Sequence, residues 1–223
     1  LKDAWTQPAW ISVRVPETAR PGEYTGSLRV TLRTGKSEEE HADIPLSLAV
    51  WPFAIPEKPT LRHTEWFYPE VLAQYYHLEE WSEAHWRWIE KVAANMASHR
   101  QDMILVPILS LIGVTRTAKG RLSFDFARFD RYVRIFLKAG LSWLEGGHLI
   151  SRAGDWNSPF SWLRFPVTDA AGRPVDTSRT AMDDDAATPL MEAFLRALHA
   201  HLAKRGWLDR YVQHVGDEPV ETN

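Results

Sequence analysis

The sequence predicts an α/β fold: about four strands of a (β/α)8 TIM barrel, preceded by part of an antiparallel β-sandwich. Three observations carry this reading. Up to about residue 53 apolar residues alternate with polar ones at period two. The segment Pro52–Thr60, PFAIPEKPT, then places three prolines in nine residues. From Leu61 onward, short apolar runs alternate with stretches of helical spacing, the grammar of a parallel sheet. The expected domains are therefore a partial sandwich over 1–53, a stiff linker over 54–60, and the N-terminal half of a barrel over 61–223.

Each element has its own signal. Trp10–Val15 (WISVRV), Thr25–Leu32 (TGSLRVTL) and Ala42–Trp51 (ADIPLSLAVW) alternate as half-wet strands, joined by PETARPGEY and TGKSEEEH turns. Leu61–Phe67 is the first strand of the second unit. Ser82–Arg100 is a helix with Ser82 as its cap and Trp86, Ile89, Val92/Ala93 and Met96 as its stripe. Asp102–Leu109 is an apolar run suited to a strand buried on both faces. A hairpin-like insertion leads to a helix from about Phe126 to Ala139, striped by Phe129, Val133 and Phe136/Leu137 and stopped by Gly140. Leu141–Glu145 is the third strand, followed by an irregular loop from Gly146 to about Ala187 whose acidic run, Asp183–Asp185, reads as a solvated helix entry. Thr188 and Pro189 open the last helix, with Met191, Phe194/Leu195, Leu198 and Leu202 as its apolar face and Gly206 as its stop. Tyr211–Val215 is the fourth strand.

Composition narrows the function. A net charge of −3 with no basic block suggests neither a nucleic-acid nor an anionic-membrane surface, and no apolar run is long enough to span a bilayer. The chain has no cysteine, so thiolate metal sites are excluded; its nine histidines show no HExxH spacing, and no metal is expected. No GxGxxG follows any strand, and no cofactor is expected. Eleven tryptophans are many for this length. Trp66, Trp143, Trp156 and Trp162 fall near loops or strand ends, where flat indoles suit stacking on sugar rings, whereas Trp86 and Trp88 read as core. Leu1 in place of Met, and an end at Asn223, read as a piece of a longer protein cut at both ends. Half a barrel would expose unpaired edges, so the piece alone is expected to fold poorly and to be inactive.

The acids decide the chemistry. Barrel active sites lie at the C-terminal ends of the strands. There the first strand offers Glu65, the third Glu145 and the fourth the adjacent Asp217 and Glu218, while the second ends in apolar residues. Solvated turn acids would produce a similar pattern, since Gly216, Asp217 and Pro219 are turn residues. Carboxylates clustered at a barrel mouth beside indoles otherwise suit glycoside hydrolysis. Neighbouring residues of a strand point to opposite sides, so Asp217 and Glu218 cannot flank one bond in the usual way. They fit a different division: Glu218 as general acid/base, and Asp217 holding a substrate group that is itself the nucleophile, such as a 2-acetamido oxygen.

The segments HVGDEP, LEGGHLISRAGDW, TEWFYPEVLAQYY and HRQDMILVPIL resemble, in order and spacing, the catalytic domain of glycoside hydrolase family 123. The resemblance runs from about Leu61 to the end and extends loosely over VPETARPGEYTGSLRV. It implies a β-sandwich before a (β/α)8 barrel, a β-N-acetylgalactosaminidase-like activity on a glycan, and substrate-assisted catalysis by an adjacent Asp–Glu pair. By resemblance Asp217 orients the acetamido group and Glu218 is the acid/base. Glu65, Trp66, Tyr68, Glu145, His148, Arg152 and Trp156 are the expected substrate contacts. Two departures bear on the sugar: GGHLISRAGDW is richer in glycine than the family pattern, and the loop to Ala187 is acidic. Two other readings stay open: a glycosidase for sugars without an acetamido group, its nucleophile beyond residue 223, and a carbohydrate-binding protein without turnover.

Overall fold

The computed structural model describes residues 8–34, 38–56, 58–152, 154–175 and 188–219. The chain divides into two compact units, Leu1–Glu57 and Lys58–Asn223.

In the first unit, β1 (Gly22–Thr34) and β2 (Glu38–Val50) form one long antiparallel hairpin, with Gly22 opposite Val50 and Thr34 opposite Glu38. Arg29 and Asp43 face each other across it and form a bidentate pair at 2.7 and 2.8 Å. The expected strand Trp10–Val15 is not formed. Its alternation is present, but among the described residues no strand pairs with it, and Trp10 is 93% exposed. Period two marks a strand only when a neighbour accepts its backbone hydrogen bonds.

The second unit is a mixed α/β assembly. Its first segment meets the sheet at one point: Thr64 bridges Met103 in parallel, so Leu61–Phe67 is shorter as a strand than its pattern predicts. Then follow α1 (Pro69–Tyr75) and α2 (Glu83–Ser98). Ser82 caps α2 by accepting from the His85 amide, and Trp86, Ile89 and Ala93 are its buried stripe. His85 is fully buried and satisfied: Nδ1 accepts from the Trp81 amide and Nε2 donates to the Pro69 carbonyl, tying α2 to the start of α1.

The strand predicted over Asp102–Leu109 ends early. β3 is Met103–Val106, and after Pro107 the chain makes the single turn α3 (Ile108–Leu111). The insertion is a hairpin of β4 (Gly113–Arg116) and β5 (Leu122–Asp125). Helix α4 (Ala127–Ala139) buries Phe129, Tyr132, Val133 and Phe136, and ends at Gly140 with φ 116°, a left-handed stop that glycine makes without strain. Next comes β6 (Trp143–Gly146).

The stretch expected to be irregular holds three short strands: β7 (Ile150–Arg152), β8 (Phe160–Trp162) and β9 (Val167–Asp169). β7 and β8 form an antiparallel hairpin, and β9 joins β4 in parallel. Asp183–Asp185 lie outside the described residues. Helix α5 (Thr188–Arg205) buries Met191, Phe194, Leu198 and Leu202, and Gly206 follows at φ 68°. The last strand is β10 (Tyr211–Gln213).

The main sheet runs β3–β6–β10 in chain order, all parallel. β3 and β6 are buried over three of their four residues because α2, α4 and α5 pack their stripes into one core with them. Buried Asp102 fastens the base of the sheet. Its carboxylate accepts from Arg62 Nη1 and the His63 amide, and its carbonyl from the Ser142 and Trp143 amides. Among the described residues no helix is long and apolar enough to cross a membrane.

Candidate active site

The C-terminal ends of β6 and β10 carry the acids and histidines together. Parallel pairing sets Val212 beside Glu145 and Gln213 beside Gly146, and the His214 amide continues the ladder to the Gly146 carbonyl at 3.1 Å. A Cβ at Gly146 would sit 1.9 Å from the Tyr211 hydroxyl and 2.4 Å from Gln213 Oε1, so a larger residue there would have to displace those two side chains. Residues 69 apart in sequence thereby meet, with Glu145 Oε1 2.9 Å from His214 Nδ1. His148 Nε2 lies 3.2 Å from the same nitrogen, and His214 Nε2 faces the Gly216 carbonyl at 3.1 Å.

Trp66, from the segment after Thr64, closes this cluster. Its ring meets His148 edge-on at 5.1 Å and His214 at 5.6 Å. Tyr68 stands just before α1, and its hydroxyl is held in the protonated form. Burial raises its pKa, with Glu70, Asp217 and Glu145 adding to the effect. Burial, and then the neighbouring His214, lower the pKa of His148, against a smaller opposing pull from Asp217 and Glu145. A neutral His148 offers a lone pair as well as an N–H.

Asp217 and Glu218 follow Gly216 at the turn beyond β10. Glu218 is exposed and has φ 48°, a left-handed conformation unusual for a residue with a Cβ. Arg152 reaches this turn from β7. Its Nη1 donates to the Asp217 carbonyl at 3.1 Å and its Nη2 to the Glu218 carbonyl. Trp156 and Phe160 lie against the same guanidinium, at 4.3 and 4.7 Å from their ring centres.

The other expected contacts are placed differently. Glu65 is turned toward His63, at 3.1 Å, with its side chain 71% exposed. Trp143 carries the Arg62 guanidinium, and Trp162 packs against the core, so Trp66 and Trp156 are the two of the four rim indoles that are exposed. His214 was not among the expected site residues. Within YVQHV it reads as one more strand position, and only the β6–β10 register reveals it. His148, His214 and Asp217 each offer a ligand atom within 4.8 Å of the others, a set able to take a transition-metal ion although none is expected from the sequence.

One hollow adjoins these residues. A cleft of about 420 Å³ is lined by Trp66, Tyr68, Val71 and Tyr75, among others, and adjoins the histidines through Trp66. A second hollow, about 760 Å³, lies along β4 and the Phe165–Thr168 segment, and none of the clustered acids or histidines lines it. Size alone therefore does not locate the chemistry.

Comparison with known proteins bears on what this arrangement does. The profile of the glycoside hydrolase 123 catalytic domain matches residues 66–223. The chain belongs to glycoside hydrolase family 123. No curated protein matches it. A family 123 glycoside hydrolase from Clostridium perfringens, whose structure was analysed for glycolipid glycan hydrolysis, superposes on 94% of the chain with a TM-score of 0.68 at 17% identity. That likeness is one of fold, and the chain spans 38% of that enzyme's length. The family 123 match covers the segments that hold Trp66, Glu145, His214 and the Asp217–Glu218 pair.

Proposed function

We propose that the protein is a retaining glycoside hydrolase that removes a terminal β-linked N-acetylhexosamine, N-acetylgalactosamine being the favoured sugar, by substrate-assisted catalysis. The observation that carries this is the adjacent Asp217–Glu218 pair at the turn beyond β10, within reach of the Glu145–His214–His148 cluster. The reading assigns the second unit to the first half of a (β/α)8 barrel. In its support, Thr64, β3, β6 and β10 follow one another in parallel and in chain order. The long β1–β2 hairpin supports residues 1–53 as part of a β-sandwich, with 54–60 as a linker.

The chemistry then divides as follows. Asp217 accepts a hydrogen bond from the acetamido N–H and turns the acetamido oxygen toward the anomeric carbon. As the glycosidic C–O bond breaks, Glu218 gives its proton to the leaving oxygen, and the acetamido oxygen forms the new bond to the anomeric carbon. The positive charge that develops on the acetamido group is met by the Asp217 carboxylate. In the second half Glu218, now ionised, takes a proton from water. That water attacks the anomeric carbon from the side the leaving group left, the bond from that carbon to the acetamido oxygen breaks, and its electron pair restores the neutral acetamido group, so configuration is retained. Trp66 gives the sugar an apolar wall, and Tyr68, Glu145 and His148 supply hydroxyl contacts.

The test uses the complete protein on aryl β-N-acetylgalactosaminide, the N-acetylglucosaminide and the plain galactoside, with Glu218→Gln as control. Release from the acetamido sugars alone, lost in the variant, is the expected result. Release from the plain galactoside would move the nucleophile elsewhere. Binding of glycans without release from any would make this a carbohydrate-binding protein.

A further inference from the structure

We propose that Arg152 is the positioning residue of the acid pair, and that the β7–β8 hairpin is the platform on which Asp217 and Glu218 are held. The inference rests on the reading of those two residues as the catalytic pair.

The guanidinium reaches the backbone of the acid pair. It donates to the two backbone carbonyls of Asp217 and Glu218, one from each terminal nitrogen. A planar fork with a permanent charge suits two successive carbonyls, whereas a lysine would offer a single point of charge. The fork is itself fixed, because Trp156 and Phe160 lie against it.

The turn it holds needs holding. Glu218 sits at φ 48°, and a non-glycine residue keeps such a conformation only where its surroundings impose it. The same hairpin supplies other restraints on this turn. The amides of Leu149 and Ile150 both donate to the Val215 carbonyl, at 2.8 and 3.0 Å. Gly216 lies so close above the hairpin that a Cβ there would come 2.6 Å from Ile150 Cγ1 and 3.4 Å from Phe160 Cε1. From Val215 to Glu218, the backbone is thus fastened to Leu149 and to the β7–β8 hairpin. Moving the backbone carbonyls moves the Cα–Cβ directions of both acids, and with them the distances to the acetamido group and the leaving oxygen.

The experiment compares the complete wild-type protein with Arg152→Ala and Arg152→Lys. On an aryl β-N-acetylgalactosaminide, kcat is expected to fall on the order of 10²-fold with KM nearly unchanged, the pattern of misplaced catalytic groups. Added methylguanidine restores part of the Arg152→Ala rate and methylamine does not. A rise in KM at unchanged kcat would make Arg152 a substrate contact and overturn the proposal. So would a loss of rate that follows loss of folding and that no guanidine rescues. Hydrogen exchange at the amides of Gly216, Asp217 and Glu218 reads the turn without any turnover and is expected to quicken in both variants. Unchanged exchange overturns the proposal even if the wild type hydrolyses the substrate. If the wild type hydrolyses nothing, the catalytic reading falls, while quickened exchange still establishes Arg152's hold on the turn.

Discussion

Glu145 Oε1 lies 2.9 Å from His214 Nδ1, while Oε2 of the same buried carboxylate has no hydrogen-bond partner among the described residues. One oxygen anchors an imidazole, and the other is an acceptor that burial makes costly to leave unpaired. In a glycosidase the natural donor for such an oxygen is a sugar hydroxyl. A hydrogen bond to a charged group contributes about 1.5–3 kcal/mol. Glu145→Gln is therefore expected to raise KM roughly tenfold to a hundredfold with a smaller change in kcat. The glutamine keeps an oxygen for His214, so the melting temperature should move little. Steady-state kinetics beside a thermal melt check both; an unchanged KM would leave Glu145 a purely structural partner of His214.

Asp217 is assigned a role that depends on the substrate rather than on catalysis in general. Asp217→Asn keeps the shape but removes the charge opposite the acetamido group. Loss of one such stabilising group costs on the order of 10²–10³-fold in kcat. That loss is expected on N-acetylhexosaminides. Residual activity on a glycoside lacking the acetamido group should be little affected, and equal loss on both would sink the assignment.

His148 gives the fold a pH dependence whose sign follows from its environment. Burial and His214 hold its pKa below the usual 6.5. Between that value and the lower folded one, the unfolded chain binds the proton and the folded chain does not. The contribution to stability is thus full above pH 6.5 and is lost as pH falls from there toward the folded pKa. In thermal melts from about pH 7.5 to about pH 5.5, wild type should lose more of its melting temperature than His148→Asn. A wild-type midpoint that holds level, or rises, relative to the variant would contradict the assigned environment.

Three helices of the second unit, α2, α4 and α5, were readable because each carries one unbroken stripe: Trp86, Ile89 and Ala93; Phe129, Val133 and Phe136; Met191, Phe194, Leu198 and Leu202. Their stops were readable too, since Gly140 and Gly206 take left-handed backbone. The turn that holds Asp217 and Glu218 was readable from YVQHV running into Gly216, although β10 ends at Gln213, two residues short of the predicted Val215. His214 was not legible, because its partner Glu145 lies 69 residues away and meets it only through parallel strand register. The β7–β8 hairpin escaped because three-residue strands are too short to show a period. Trp10–Val15 misled for the opposite reason: its alternation has no partner strand among the described residues.

Gly216 joins the hairpin to the acid turn, and its missing side chain can be tested directly. A Cβ at this position would stand 2.6 Å from Ile150 Cγ1 and 2.9 Å from Ile150 Cδ1, distances that require something to shift. Ile150 is buried, so its side chain has little room to retreat. Gly216→Ala should therefore cost about 1–3 kcal/mol, as other overpacked sites do, and should displace Asp217 and Glu218 with loss of kcat. Ile150→Ala removes both offending atoms at the cost of its own packing. If the clash is the cause, the double variant Ile150→Ala/Gly216→Ala is more stable than the sum of the single losses predicts, by about 0.5–3 kcal/mol, the range for residues in contact. Its kcat also recovers relative to Gly216→Ala alone. Denaturant titration and kinetics on the four proteins close the cycle. Strict additivity in both would mean that the hairpin does not bear on the acid pair at Gly216.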